Sequence, residues 1–208
     1  MPEQPDVWAQ GEHVAIVGDT GSGKTTLEAK LLLLRDWTVV LKTKADRTPI
    51  PKHRRIRRAA QLHGSDHRYV LDPPHERQAW EIWQALQTIW REGGWTLGFD
   101  ELYYLEHRLK LTGLLDLFWT QGRSMDISVV AGMQRPSWVS RFALSQCTHL
   151  FVFASEGRDI MTIKDAFGPR VAAVIPELRR YEFAYYNRVT KRVSRGYAQT
   201  LDRILVKG

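Results

Sequence analysis

A mainly parallel α/β sheet flanked by helices, with a C-terminal β-hairpin, is the fold this sequence predicts. Three observations carry that reading. Short apolar runs alternate with helical segments for most of the length, the pattern of strand–helix–strand units. A glycine-rich loop stands between the first apolar run and the first helix. The tail "RRYEFAYYNRVTKRVSRGYAQ" alternates polar and apolar residues about a turn near Asn187–Lys191, which reads as two antiparallel strands.

The elements follow in order. "HVAIVG", His13–Gly18, is apolar throughout and ends in glycine, as a strand covered on both faces should. A helix is expected from about Lys24 to Arg35 and a second strand over Trp37–Thr43. Residues 44–68 are polar and basic without a period. A third strand ends at Asp72. Pro73 and Pro74 then open a helix running from about Glu76 to Glu92, and Gly93-Gly94 stops it. Its Trp80, Trp83, Leu86, Ile89 and Trp90 fall mostly three and four apart, the spacing of a core face rather than of a nucleic-acid stacking platform. The strand Trp95–Phe99 ends in Asp100-Glu101. After a helix over Gly113–Gly122 comes a strand ending near Gln134, another over Thr148–Ser155, and a helix in "RDIMTIKDAFG".

At 208 residues the chain is expected to form a single domain, with a core over about 12–183, a basic insertion over about 44–68 and the hairpin over about 179–198. Lys plus Arg exceed Asp plus Glu by 30 to 23, a net charge of +7, which favours an anionic partner. The single cysteine, Cys147, excludes an internal disulfide and a cysteine zinc site; a buried thiol in a reducing interior is expected. The first residues, MPEQPDVWAQGEH, show neither the basic nor the apolar region of a signal peptide. Apolar runs such as Leu31–Leu34 and Leu150–Ala154 fall far below the ~18 residues that span a bilayer, so a soluble protein without a membrane span is expected.

The motif with most chemical content is "GDTGSGKTT", residues Gly18, Asp19, Thr20, Gly21, Ser22, Gly23, Lys24, Thr25 and Thr26, which fits G-x-x-x-x-G-K-[ST]. Its glycines let the loop turn tightly and aim backbone N–H groups at phosphate oxygens. Lys24 is expected to reach the β- and γ-phosphates, and the Thr25 hydroxyl to bind Mg²⁺. "TKAD", Thr43–Asp46, imitates a guanine-reading element but precedes the acidic motif, and Asp100 is followed by Glu101-Leu102-Tyr103 rather than by D-x-x-G. Lys44 and Asp46 therefore read as loop charges, and ATP is favoured over GTP.

Asp100 and Glu101 close a strand, where neighbouring side chains point to opposite faces. Asp100 is expected to complete the Mg²⁺ site and Glu101 to polarise an attacking water. With no acceptor-binding motif in view, hydrolysis is favoured over transfer to a small molecule. Gln134, at the end of another apolar strand, is placed to sense the γ-phosphate.

Four features in order, "GDTGSGKTT", "LGFDE", "GRSMDISVVAGMQRPS" and "HLFVFA", resemble the FtsK–HerA superfamily of P-loop ATPases over about Glu12–Phe183. Within it the chain is similar to the genome-packaging ATPases of internal-membrane-containing double-stranded DNA viruses. The resemblance implies a RecA-like P-loop fold and a homo-oligomeric ring, often a hexamer, moving double-stranded DNA through its pore. It also implies an arginine finger in trans, best matched by Arg123, with Arg135 and Arg141 next. Capsid vertex or portal proteins are further candidate partners, and the host cytoplasm or the virion the expected location. A filamentous-phage-type assembly ATPase and a nucleotide-dependent switch or adaptor are the rival readings.

Lys42, Lys44, Arg47, Lys52, Arg54, Arg55, Arg57 and Arg58 form a cationic cluster suited to sequence-independent DNA binding. Arg188, Lys191, Arg192 and Arg195 of the hairpin, beside Tyr181, Tyr185 and Tyr186, leave three roles open: gripping DNA, packing on a neighbour, or closing the sheet.

Overall fold

The structure, a computed structural model, describes residues 5–44, 49–63 and 67–208. Asp46 and Arg47 lie outside the described residues. In chain order the elements are β1 (Asp6–Trp8), β2 (His13–Val17), α1 (Lys24–Leu33), β3 (Thr38–Leu41), β4 (Arg54–Ile56), β5 (Arg68–Leu71), α2 (Gln78–Glu92) and β6 (Thr96–Phe99). They continue as α3 (Thr112–Gln121), β7 (Ser128–Met133), α4 (Arg141–Ser145), β8 (Cys147–Phe153), α5 (Arg158–Phe167), α6 (Pro169–Val174), β9 (Phe183–Asn187), β10 (Val193–Gly196), α7 (Leu201–Ile204) and β11 (Leu205–Lys207).

Nine strands form one sheet in the order β10-β9-β8-β2-β7-β6-β3-β5-β4. Every pairing is parallel except β8 with β9 and β9 with β10, so the predicted hairpin extends one edge of the predicted parallel sheet. The inner strands β2, β3, β6 and β7 are buried on both faces and divide their residues by parity, as a pleat requires, whereas the edge strands β4 and β10 are largely uncovered. Ala15 and Val17 of β2 face a core with α2, α3 and α5, while Val14 and Ile16 face a second core with α1 and α7.

α1 lies close against the sheet because β6 has a glycine beneath it. A Cβ on Gly98 would stand 3.0 Å from Glu28 Oε1 and 3.1 Å from Leu32 Cδ1. A second, two-stranded sheet pairs β1 with β11 in parallel. There Arg35, itself buried, stacks its guanidinium 4.1 Å over the Trp8 ring and donates to the Trp8 carbonyl at 2.5 Å. Neither β1 nor β11 is legible in three-residue segments, and β4 and the 3₁₀ turn Ala59–His63 emerge from the aperiodic stretch.

Two expectations change. The face of α2 that meets the core is carried by Ile82, Ala85, Leu86 and Ile89, whereas Trp80 and Trp83 are exposed and stack on each other at 5.5 Å. A spacing of three aligned them with each other but on a row beside the buried one. In the hairpin, Tyr185 and Tyr186 are buried in the two cores, so they close the sheet and cannot grip DNA. Arg188 caps the carbonyls of Cys147, Ala166 and Leu144 and lies over the Phe167 ring. Cys147 is buried as expected; its thiol donates to the Ala143 carbonyl and burial pushes its pKa up.

Glu28 is a costly feature of this packing. It is buried in α1, its Oε1 accepts no hydrogen bond among the described residues, and burial, reinforced by the nearby Asp100, raises its pKa to about 8. A carboxyl with a raised folded-state pKa contributes stability below its unfolded pKa and loses it as pH rises through the folded one. Wild-type stability is therefore expected to decline between pH 5 and 8. Glu28→Gln should melt higher at pH 8–9, by roughly 2–8 °C for a chain of this size, with the two melting curves converging near pH 5.

Candidate active site

Parallel pairing brings four strand ends to one edge of the sheet. β2 pairs with β7 (Val17 opposite Met133), β7 with β6 (Ala131 opposite Phe99) and β6 with β3 (Phe99 opposite Leu41). The residues that follow, Gly18, Gln134, Asp100 and Lys42, therefore emerge side by side. In open α/β sheets this carboxyl edge is where ligands bind.

The loop after β2 passes into α1 through Gly23, whose φ of 108° is one that residues with a Cβ rarely adopt. Lys24, Thr25 and Thr26, the first residues of α1, line the cleft, and the free amides of a helix start suit an anion there. The Lys24 ammonium is held at the loop by the Gly18 and Asp19 carbonyls, at 2.5 and 2.8 Å. Burial lowers its pKa to about 8, against the opposing pull of Glu101. A cleft of about 300 Å³ opens over Thr20, Gly21, Gly23, Lys24, Thr25, Thr26, Lys44, Asp100, Gln134 and Tyr181. The loop, Asp100 and Gln134, singled out separately in the sequence, thus border one space.

The Asp100 side chain is only 8% exposed and accepts two hydrogen bonds at Oδ1, from the Thr43 amide (3.1 Å) and hydroxyl (2.6 Å). Burial raises its pKa; the Thr43 bonds and the Lys42 ammonium, 3.8 Å from Oδ2, oppose the rise. Oδ2 accepts no hydrogen bond among the described residues. Glu101 is paired with Lys44 at 3.0 Å and does not itself border the cleft. Lys44 is therefore part of the site and not a loop charge. Lys42, buried beside Asp100, is not available to the DNA-binding cluster assigned to it, and Lys44 is paired with Glu101.

Thr43, Lys42, Lys44 and Tyr181 were not assigned to this site from the sequence. The first three follow β3, and nothing in the sequence says that β3 neighbours β6. Gln134 leads into Arg135 and Ser137, which bond the two carboxylate oxygens of Asp159 at 2.8 and 3.0 Å. Arg135 is thereby engaged within its own chain. Arg123 is exposed at the other end of β7, against Gly11. The six residues of β7 separate it from the cleft by about 20 Å.

No family model matches the chain. In sequence it is 25% identical over 200 residues to the DNA packaging ATPase P9 of Enterobacteria phage PRD1, covering 85% of this chain and 82% of that one. In structure it matches the genome packaging NTPase B204 of Sulfolobus turreted icosahedral virus 2, solved with AMPPCP. The TM-score is 0.73 at 18% identity, covering 88% of this chain and 96% of that one. This chain resembles the viral genome-packaging ATPases in sequence and in fold. B204 of Sulfolobus turreted icosahedral virus, a DNA-packaging ATPase, aligns at a TM-score of 0.70 and 19% identity, over 90% and 98% of the two chains. The P-loop fold expected from the glycine-rich loop is thus shared with these packaging ATPases. Among the described residues, no helix is long and apolar enough to cross a membrane.

The Lys24 pKa makes binding pH-dependent. Above pH 8 the free site holds a neutral amine that must regain its proton to meet a phosphate. Affinity for AMPPNP should then fall by up to about tenfold per pH unit. Calorimetry at pH 9 in buffers of different ionisation enthalpy should show about one proton taken up per nucleotide; Lys24→Arg, which keeps its charge, should abolish that uptake.

Proposed function

We propose that this chain is an ATP-hydrolysing motor that moves double-stranded DNA, packaging a viral genome into a preformed capsid. The observation that carries this reading is the convergence of the phosphate loop, Asp100 and Gln134 on one cleft, supported by the likeness to the packaging ATPases P9 and B204.

The phosphates of ATP lie in the loop, on its amides and on Lys24. The residues fit a magnesium ion: Thr25 and Asp100 border the cleft, and the buried Oδ2 of Asp100 has no hydrogen-bond partner among the described residues. Bound there, Mg²⁺ would neutralise charge on the β- and γ-phosphates. Thr43 holds Asp100 by its other oxygen and so fixes which one faces the cleft. Glu101 positions the attacking water once it parts from Lys44, whose ammonium borders the cleft and can turn to the phosphates. Gln134 reads the γ-phosphate and passes its position through Arg135 and Ser137 to Asp159 at the start of α5.

Arg123 serves a neighbouring subunit, since it lies at the wrong end of its own sheet. A homo-oligomeric ring, a hexamer in this reading, provides that neighbour. The DNA-facing surface is the β4 edge. Lys52, Arg57 and Arg58 are exposed there without an acidic partner among the described residues. Three of the four hairpin cations at the opposite edge are engaged: Arg192 with Asp6, Arg195 with Glu177, and Arg188 with three carbonyls. Nine strands make eight steps of about 4.8 Å, so the two edges lie roughly 40 Å apart and cannot meet the same stretch of DNA.

Glu101→Gln is expected to retain ATP binding and lose at least about 100-fold in turnover; unchanged turnover would remove Glu101 from this role. Arg123→Ala and Lys24→Ala subunits should each be inactive alone, and mixing them should restore part of the ATPase activity, because each supplies what the other's site lacks. Replacing Lys52, Arg57 and Arg58 by alanine should weaken DNA binding for all sequences and lower the salt slope by up to about three.

A further inference from the structure

We propose that Tyr181 is the base-stacking residue of the nucleotide site, and that the base lies between the phosphate loop and the chain following β10. This deepens the proposed ATPase function and rests on it. Tyr181 borders the phosphate cleft, and it also borders a second hollow of about 240 Å³, whose other walls are Gly23, Thr26, Phe153, Ala198 and Gln199. Gly23, Thr26 and Tyr181 line both spaces, so the two hollows adjoin between the phosphate loop and the turn before α7.

The ring is held there at a conformational cost. Tyr181 has a φ of 65°, uncommon for so large a side chain. Such strain persists only where its surroundings enforce it. Here they are a tight turn in which the Glu182 amide donates to the Arg179 carbonyl at 3.0 Å and the Glu182 carboxylate accepts from the Arg179 amide at 2.9 Å. The ring is 48% exposed, and the Arg180 guanidinium lies 4.8 Å over its face. On the loop side, Tyr181 Cδ1 would be 3.7 Å from a Cβ on Gly23. A half-exposed aromatic ring beside a phosphate loop, with a guanidinium on one face, offers its remaining surface for a purine to stack on. Gln199, exposed across the hollow, offers an amide donor and acceptor to the base edge.

Binding of AMPPNP and of tripolyphosphate, which has the phosphates but no base, separates the roles. Tyr181→Ala is expected to weaken AMPPNP roughly 10- to 100-fold, the range that loss of one base–aromatic stack gives, and to leave tripolyphosphate unchanged. Tyr181→Phe should bind AMPPNP as the wild type does. Undiminished AMPPNP binding by Tyr181→Ala, or an equal loss for both ligands, overturns the assignment and leaves the ATPase reading intact. Failure of the wild type to bind either ligand overturns both.

Discussion

Four parallel strands ending at one level, β2, β7, β6 and β3, set the position of everything else in the site. A phosphate loop alone cradles an anion. The chemistry comes from what the neighbouring strand ends place beside it, and parallel pairing leaves no choice about which residues those are. Because β6 lies between β7 and β3, Asp100 emerges between Gln134 on one side and Lys42-Thr43-Lys44 on the other.

The result is a dense cluster of charge in a poorly solvated place. Lys24, Glu28, Lys42 and Glu101 are buried, the Asp100 carboxylate is nearly so, and Lys44 pairs with Glu101 beside them. Three lysines face three carboxyl groups, yet burial still lowers the Lys24 pKa and raises those of Glu28 and Asp100. Desolvation there outweighs the pairing. Such a site is tuned for an added polyanion and cation, whose charges its own groups only partly balance.

Most of the sheet was legible because it is buried on both faces: continuous apolar runs, glycine stops and proline starts are local signals. The loop and the Asp100-Glu101 pair were legible for the same reason, as each is a contiguous motif. What was hidden depends on neighbours distant in sequence. Trp80 and Trp83 satisfy helical spacing, yet only the packing of α2 on the sheet decides which row is covered. Lys44 looked like one cation in a basic run because its pairing with Glu101 depends on β3 lying beside β6. β1 and β11 are three residues each and exist only as a pair. Tyr181 was grouped with the hairpin tyrosines, from which its left-handed turn separates it.

Gly98 carries a mechanical consequence. With no side chain at Gly98, the acidic strand and the helix behind the phosphate loop come so close that a single Cβ would press on Glu28 and Leu32. In the motor proposed here, that leaves little slack between these two walls, so a change of charge in the cleft would be taken up at the attachments around the rim: the Arg135–Ser137 clasp on Asp159 and the left-handed turn of Tyr181. A close-packed floor with looser margins would let the loss of one phosphate reach the surface as motion.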